Sequence, residues 1–138
     1  MTSASAGAAF DVGIVTANEQ GMRDFYETVL GCHHVATIPI GENRLVKLRL
    51  GESHLKLYVP AVELPAVDRA GAWPDRAGIR YFTVLVEDIC SLVERCRVHG
   101  APVTTEIVEL PGGRFAAFIQ DPDGNAIELF QDTGKADR

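Results

Sequence analysis

Four residues in this chain carry side chains suited to acid–base chemistry on a small oxygenated molecule: Glu128, Lys56, Tyr81 and Asp11. A carboxylate such as Glu128 can take a proton from a carbon beside a carbonyl, and an ammonium such as Lys56 stabilises the enolate that results. Tyr81 can give a hydrogen bond or a proton to a substrate oxygen. Asp11 can orient Tyr81 or Lys56, or cap the start of its strand. Plainer roles stay open for the same residues. Lys56 and Glu128 can form an ion pair, since a partly buried charge needs a partner. Tyr81 can be a rim residue with a packed ring and a wet hydroxyl. His54, Tyr58 and Phe130 are candidate substrate-binding groups, because His54 and Tyr58 share the strand face of Lys56, and Phe130 shares that of Glu128.

The element that positions Glu128 begins in Asp121-Pro122-Asp123-Gly124-Asn125. Pro122 presets an early turn angle, Gly124 can take positive φ, and Asp121, Asp123 and Asn125 can bond nearby backbone groups. The strand that follows alternates, with Ile127 and Leu129 on one face and Ala126, Glu128 and Phe130 on the other.

The same architecture occurs twice. Phe10 to Thr16 reads as a strand. Thr16 or Asn18 then caps a helix with apolar positions at Met22, Phe25, Tyr26, Val29 and Leu30, ended by Gly31. Strands follow at Val35 to Ile38, Leu45 to Leu50 and His54 to Val59, separated by turns at Gly41-Glu42-Asn43 and Gly51-Glu52-Ser53. After a connector with a short helical turn near Val67 to Ala70, the order repeats. Tyr81 to Val86 is a strand, and Asp88 caps a helix through Ile89, Leu92, Val93 and Cys96 that Gly100 stops. Strands at Val103 to Val108 and Phe115 to Ile119 lead to the opening stretch. At an offset of 70, Ile14 falls on Val84 and Asn18 on Asp88; at 72, Leu55 falls on Ile127 and Tyr58 on Phe130.

The expected fold is therefore α+β, two tandem βαβββ modules forming a curved eight-stranded sheet around a central trough. A single domain spans 10–131, with modules 10–60 and 79–131, a connector 61–78, a disordered arm 1–9 and a tail 132–138. The inner positions of the first and last strands are Asp11 and its repeat partner Tyr81, and Lys56 and its repeat partner Glu128. Lys47 and Arg49 share one strand face; if it is the inner one, they join Lys56 as a site for a carboxylate or phosphate. Trp73 closes one end of the trough or packs at a subunit boundary. His33 and His34 point to opposite faces, and His99 sits where a helix dipole favours a cation.

Bulk properties narrow the function. The 138 residues, 46% hydrophobic and 23% charged, suit one globular domain. No apolar run approaches the ~20 residues of a membrane helix. A net charge of −6 argues against nucleic acid. Cys32, Cys90 and Cys96 contain no Cys-x-x-Cys pair and read as reduced thiols of a cytoplasmic protein.

Val12-Gly13-Ile14-Val15, Arg23-Asp24-Phe25-Tyr26 through Leu30-Gly31, Leu55-Lys56-Leu57 and Asp121 through Leu129 together resemble the vicinal oxygen chelate superfamily. That superfamily includes glyoxalase I, methylmalonyl-CoA epimerase, extradiol dioxygenases and bleomycin-resistance proteins. The resemblance covers Phe10 to Gln131 and implies a homodimer that acts on or binds a small molecule. It implies metal ligands at the four inner positions. Glu128 matches, whereas Asp11, Lys56 and Tyr81 depart from the usual His, Glu or Gln. Any metal would fall to Asp11 and Glu128, with His54 or Tyr81 in support, but protonated Lys56 has no lone pair to give and opposes a dication. The leading expectation is an isomerase, epimerase or lyase working by proton transfer. The alternatives are a binding protein that sequesters a compound such as an antibiotic, and a metal-dependent lyase or dioxygenase.

Overall fold

The computed structural model describes residues 7–65 and 71–134. The chain divides into two compact units, Met1–Ala66 and Val67–Arg138, each built around one four-stranded sheet. Residues 1–6 of the expected arm 1–9, the helical turn near Val67 to Ala70 and residues 135–138 of the expected tail 132–138 lie outside the described residues.

In the first unit the strands are β1 (Val12–Val15), β2 (His33–Ile40), β3 (Asn43–Leu50) and β4 (Ser53–Val59), in the order β1-β4-β3-β2. β1 lies parallel to β4 and the other pairs are antiparallel. Alternation assigns the faces. Val46, Leu48, Leu55, Leu57 and Val59 are buried on one side, as are Met22, Phe25, Tyr26, Val29 and Leu30 of the helical segment. Each such burial contributes roughly 1.5–3 kcal/mol. Asn18, not Thr16, caps the helix: its Oδ1 accepts from Gly21 N–H at 3.0 Å, while Thr16 Oγ1 accepts from Asn18 N–H at 2.9 Å. The periodicity predicts one α-helix from Glu19 to Leu30. Instead α1 covers Glu19–Asp24 and passes into a π-helical turn, Phe25–Val29, in which Leu30 N–H bonds Phe25 C=O. Both windings bury the same apolar side chains, which is why the pattern does not tell them apart. Gly31, at φ +79°, ends the segment as expected.

The second unit repeats the plan with β5 (Tyr81–Leu85), α2 (Ile89–Val98), β6 (Val103–Leu110), β7 (Arg114–Gln120) and β8 (Ala126–Asp132), in the order β5-β8-β7-β6. Asp88 caps α2 through Ser91, and Gln131 Oε1 accepts from Ile89 N–H at 2.7 Å, tying the helix start to β8. α2 packs on β6, β7 and β8 over Ala117, Ile119, Ile127 and Leu129, all buried. Among its described residues the connector contributes one short 3-10 turn, Trp73–Asp75.

The strand register matches the repeat offsets. Val12 lies opposite Leu55 in the first sheet, and Phe82 opposite Ile127 in the second; Gly13–Lys56 corresponds likewise to Thr83–Glu128. Lys56 and Glu128 therefore occupy equivalent sheet positions. The eight expected strands are all present, as two four-stranded sheets, one per module.

Candidate functional site

Each sheet presents a largely polar face opposite its buried one, and these two polar faces have different chemistry. In the first unit, β4 presents His54, Lys56 and Tyr58 there. Asp11, just before β1, reaches this row. Its Oδ1 accepts the His54 backbone N–H at 3.1 Å and lies 3.7 Å from His54 Nδ1, and its Oδ2 lies 3.5 Å from Lys56 Nζ. Burial works against the ionised form of Asp11, but the His54 amide and the Lys56 ammonium outweigh it and hold the carboxyl below its ordinary 3.8. Of the two residues Asp11 was expected to reach, Lys56 is the one in contact with it, together with His54. The register also settles a face that sequence left undecided: Lys47 lies directly opposite Lys56, and Arg49 opposite His54 and His33. His34 falls on the other face and bonds Thr37 Oγ1 at 2.8 Å.

In the second unit the turn before β8 is built on one buried carboxylate. Asp121 is 2% exposed. Its Oδ1 accepts the N–H groups of Asp123 (3.0 Å) and Asn125 (2.9 Å), and its Oδ2 accepts Asn125 Nδ2–H at 2.8 Å. Gly124 supplies the positive φ of +86° that the turn requires. This turn launches β8 with Glu128 half-buried on the sheet's polar face. Thr83 Oγ1–H donates to Glu128 Oε1 at 2.7 Å, and Phe118 lies directly opposite Glu128 on β7. Tyr81 belongs to an aromatic cluster, with ring centroids 4.8 Å from Trp73 and 5.2 Å from Phe118; Trp73 and Phe118 stack at 5.0 Å. The Tyr81 ring is packed and the residue 39% exposed, and Trp73, from the connector, packs on Tyr81 and Phe118 of the second unit.

Sequence reasoning missed Thr83 and Phe118. Both were within reach of alternation: Thr83 is two residues from Tyr81 on the same strand face, and Phe118 is the repeat partner of Lys47 at an offset of 71. Phe130 shares the face of Glu128, as expected, one alternation further along β8.

The profile of the Glyoxalase/Bleomycin resistance protein/Dioxygenase superfamily matches residues 10–129. The chain belongs to this superfamily. Among superfamily members, it is 30% identical over 112 residues to the probable chloroplastic lactoylglutathione lyase of Arabidopsis thaliana, covering 78% of this chain and 31% of that protein. It spans between 19% and 31% of the length of the curated relatives it matches. The trypanothione-dependent glyoxalase I of Leishmania major superposes with a TM-score of 0.69 at 26% identity, over 88% of this chain and 84% of that one. A glyoxalase family protein from Bacillus cereus reaches a TM-score of 0.79 at 21% identity, over 91% and 94% of the two chains, a likeness of fold.

A divalent metal, which the superfamily implies, does not suit the first module's donor set. Asp11 already holds an ammonium and an amide N–H. Among the described residues no third His, Cys, Asp or Glu joins Asp11 and His54 as a ligand group. Lys56 brings a positive charge and no lone pair to this position.

Proposed function

We propose that this chain is a glyoxalase-like enzyme that acts on a small oxygenated metabolite by proton transfer, as an isomerase, epimerase or lyase. The observation that carries this reading is Glu128, a half-buried carboxylate that accepts the Thr83 hydroxyl and lies opposite Phe118. A base needs fixed placement at the proton it removes. In this reading Glu128 takes a proton from the carbon next to a carbonyl, and the role proposed for Lys56, steadied by Asp11, is to stabilise a developing oxyanion. Tyr81 donates a hydrogen bond or proton to a substrate oxygen. Asp11, His54, Tyr58 and Phe130 line the substrate's surroundings. The metal-dependent lyase or dioxygenase reading is disfavoured by the Lys56–Asp11 pair.

Superfamily membership supports a homodimer, and the three free cysteines, two of them buried, suit a cytoplasmic location. No helix among the described residues is long and apolar enough to cross a membrane.

The test follows deuterium uptake from heavy water by NMR at the carbon beside the carbonyl, across lactoylglutathione, 2-oxo aldehydes and hydroxyketones. Wild type exchanges at least one of these and folded Glu128→Gln does not; full activity in that variant would sink the proposal. Tight binding of a compound recovered unchanged would move the assignment to a sequestering protein of the bleomycin-resistance kind.

A further inference from the structure

The polar face of the first sheet holds more positive charge than the proposed chemistry uses. Lys47 and Lys56 are direct cross-strand neighbours, an arrangement that is unfavourable unless something negative lies between or over the two ammonium groups. Both are half-buried, so water screens them incompletely. Arg49 extends the row, opposite His54 on one side and His33 on the other. Asp11 is the one carboxylate in contact with this row among the described residues, and it is engaged by Lys56 and His54. Neither Lys47 nor Arg49 has an ion-pair partner among the described residues. The row stands in a chain of net charge −6, so it is not part of a generally basic surface.

Further along the same face the chemistry changes. Val15, Tyr58, Leu45 and Ile38, one from each of the four strands, lie side by side in register. Val15 is 58% exposed and Ile38 42%. One face thus offers cations at one end and an apolar band at the other.

We infer that this face binds a small amphipathic anion, its carboxylate or phosphate on Lys47 and Arg49 beside Lys56, its hydrocarbon part over Tyr58, Leu45 and Ile38. An anion over Lys47 and Lys56 relieves their mutual repulsion, and Arg49 adds a two-pronged donor. The inference gives the charge of the molecule the enzyme handles. It rests on the proposed function only in calling that anion a substrate.

Backbone amide NMR of the full chain tests it, by titration with hexanoate, hexyl phosphate, hexanamide and hexylammonium. Hexanoate, hexyl phosphate or both shift the amides of β3 and β4 saturably, and hexanamide and hexylammonium do not. A response to one anion alone identifies the head group as carboxylate or phosphate. Lys47→Gln weakens the anion about tenfold and Lys47→Arg retains it; without anion, Lys47→Gln melts at or above the wild-type temperature and Lys47→Arg melts with wild type. Absence of saturable anion binding, equal binding of hexanamide, or wild-type affinity in folded Lys47→Gln overturns the inference. Glu128→Gln separates the two proposals: it keeps anion binding even where it abolishes exchange.

Discussion

The two modules share a backbone plan and a buried face but not a polar face. Leu55 and Leu57 in the first correspond to Ile127 and Leu129 in the second, and all four are buried. On the other side, Lys47 opposite Lys56 corresponds to Phe118 opposite Glu128, and Asp11 to Tyr81. One polar face is cationic with the Asp11 carboxylate as its clamp; the other sets Glu128 beside Phe118, with an Arg114–Asp132 pair further along the same face. Packing restricts the buried positions to apolar side chains of suitable volume, whereas the register tolerates any side chain on the opposite face. Duplicated architecture therefore gives two frames of equal geometry whose chemistry is set independently.

The contrast is tested most severely at Glu128. Glu128→Gln lowers turnover by about 10²–10⁴-fold, the usual contribution of a positioned general base, without loss of secondary structure by circular dichroism. Lys56→Gln, at the equivalent position, leaves the base in place and lowers turnover less; equal losses would overturn the assignment of the larger role to Glu128.

Thiol reactivity distinguishes the modules next. Burial, with Glu27 nearby, pushes the Cys32 thiol of the first module up to about 11 from its ordinary 9.0. Its thiolate fraction at neutral pH falls about a hundredfold. Cys96 is also buried and shifted upward, by burial first, with Arg95 and Arg97 opposing; Cys90 is exposed. Native protein treated with iodoacetamide is expected to carry one rapid label, on Cys90 by mass spectrometry, and three labels in denaturant.

The turns that launch β4 and β8 differ in the same way. Asp121→Ala removes the acceptor of three hydrogen bonds from a buried turn and costs about 2–3 kcal/mol in urea melts. Glu52→Ala, in the exposed turn before β4, stays within about 0.5 kcal/mol.

The smallest effect concerns the Asp11 clamp. Its folded value lies below the ordinary 3.8, so its contribution to stability is fully present above that value and is lost as pH falls through the folded one. Melting temperatures measured downward from pH 5 therefore lose a component below about pH 3.8 in wild type, and Asp11→Asn removes that component.

Helix and strand identity, the cap at Asp88, the turn at Asp121 and the repeat with its offsets of 70 and 72 were all legible in the sequence, whereas the choice of Asn18 over Thr16 as the first cap was not. Each depends on residues close along the chain, through a period of 2 or 3.6 or a side chain that bonds backbone a few positions away. Superfamily membership followed from the same local segments. The winding of Phe25–Val29 was not legible, because a π turn and an α turn bury the same side chains.

The partners of the functional residues were decided by tertiary structure. Asp11 lies 43 residues from His54, and Thr83 lies 45 from Glu128. Strand order and register brought each pair together, along with the alignment of Lys47 on Lys56 and the stacking of Trp73 on Phe118. Periodicity tells which residues share a strand face, but contact across strands requires the register, which forms only when the sheet closes over its apolar core. The sequence by itself thus determined the two frames and the residue types each could present. The folded chain decided that Lys56 belongs to Asp11, that Glu128 belongs to Thr83, and that Lys47 and Arg49 stand on the same face as Lys56.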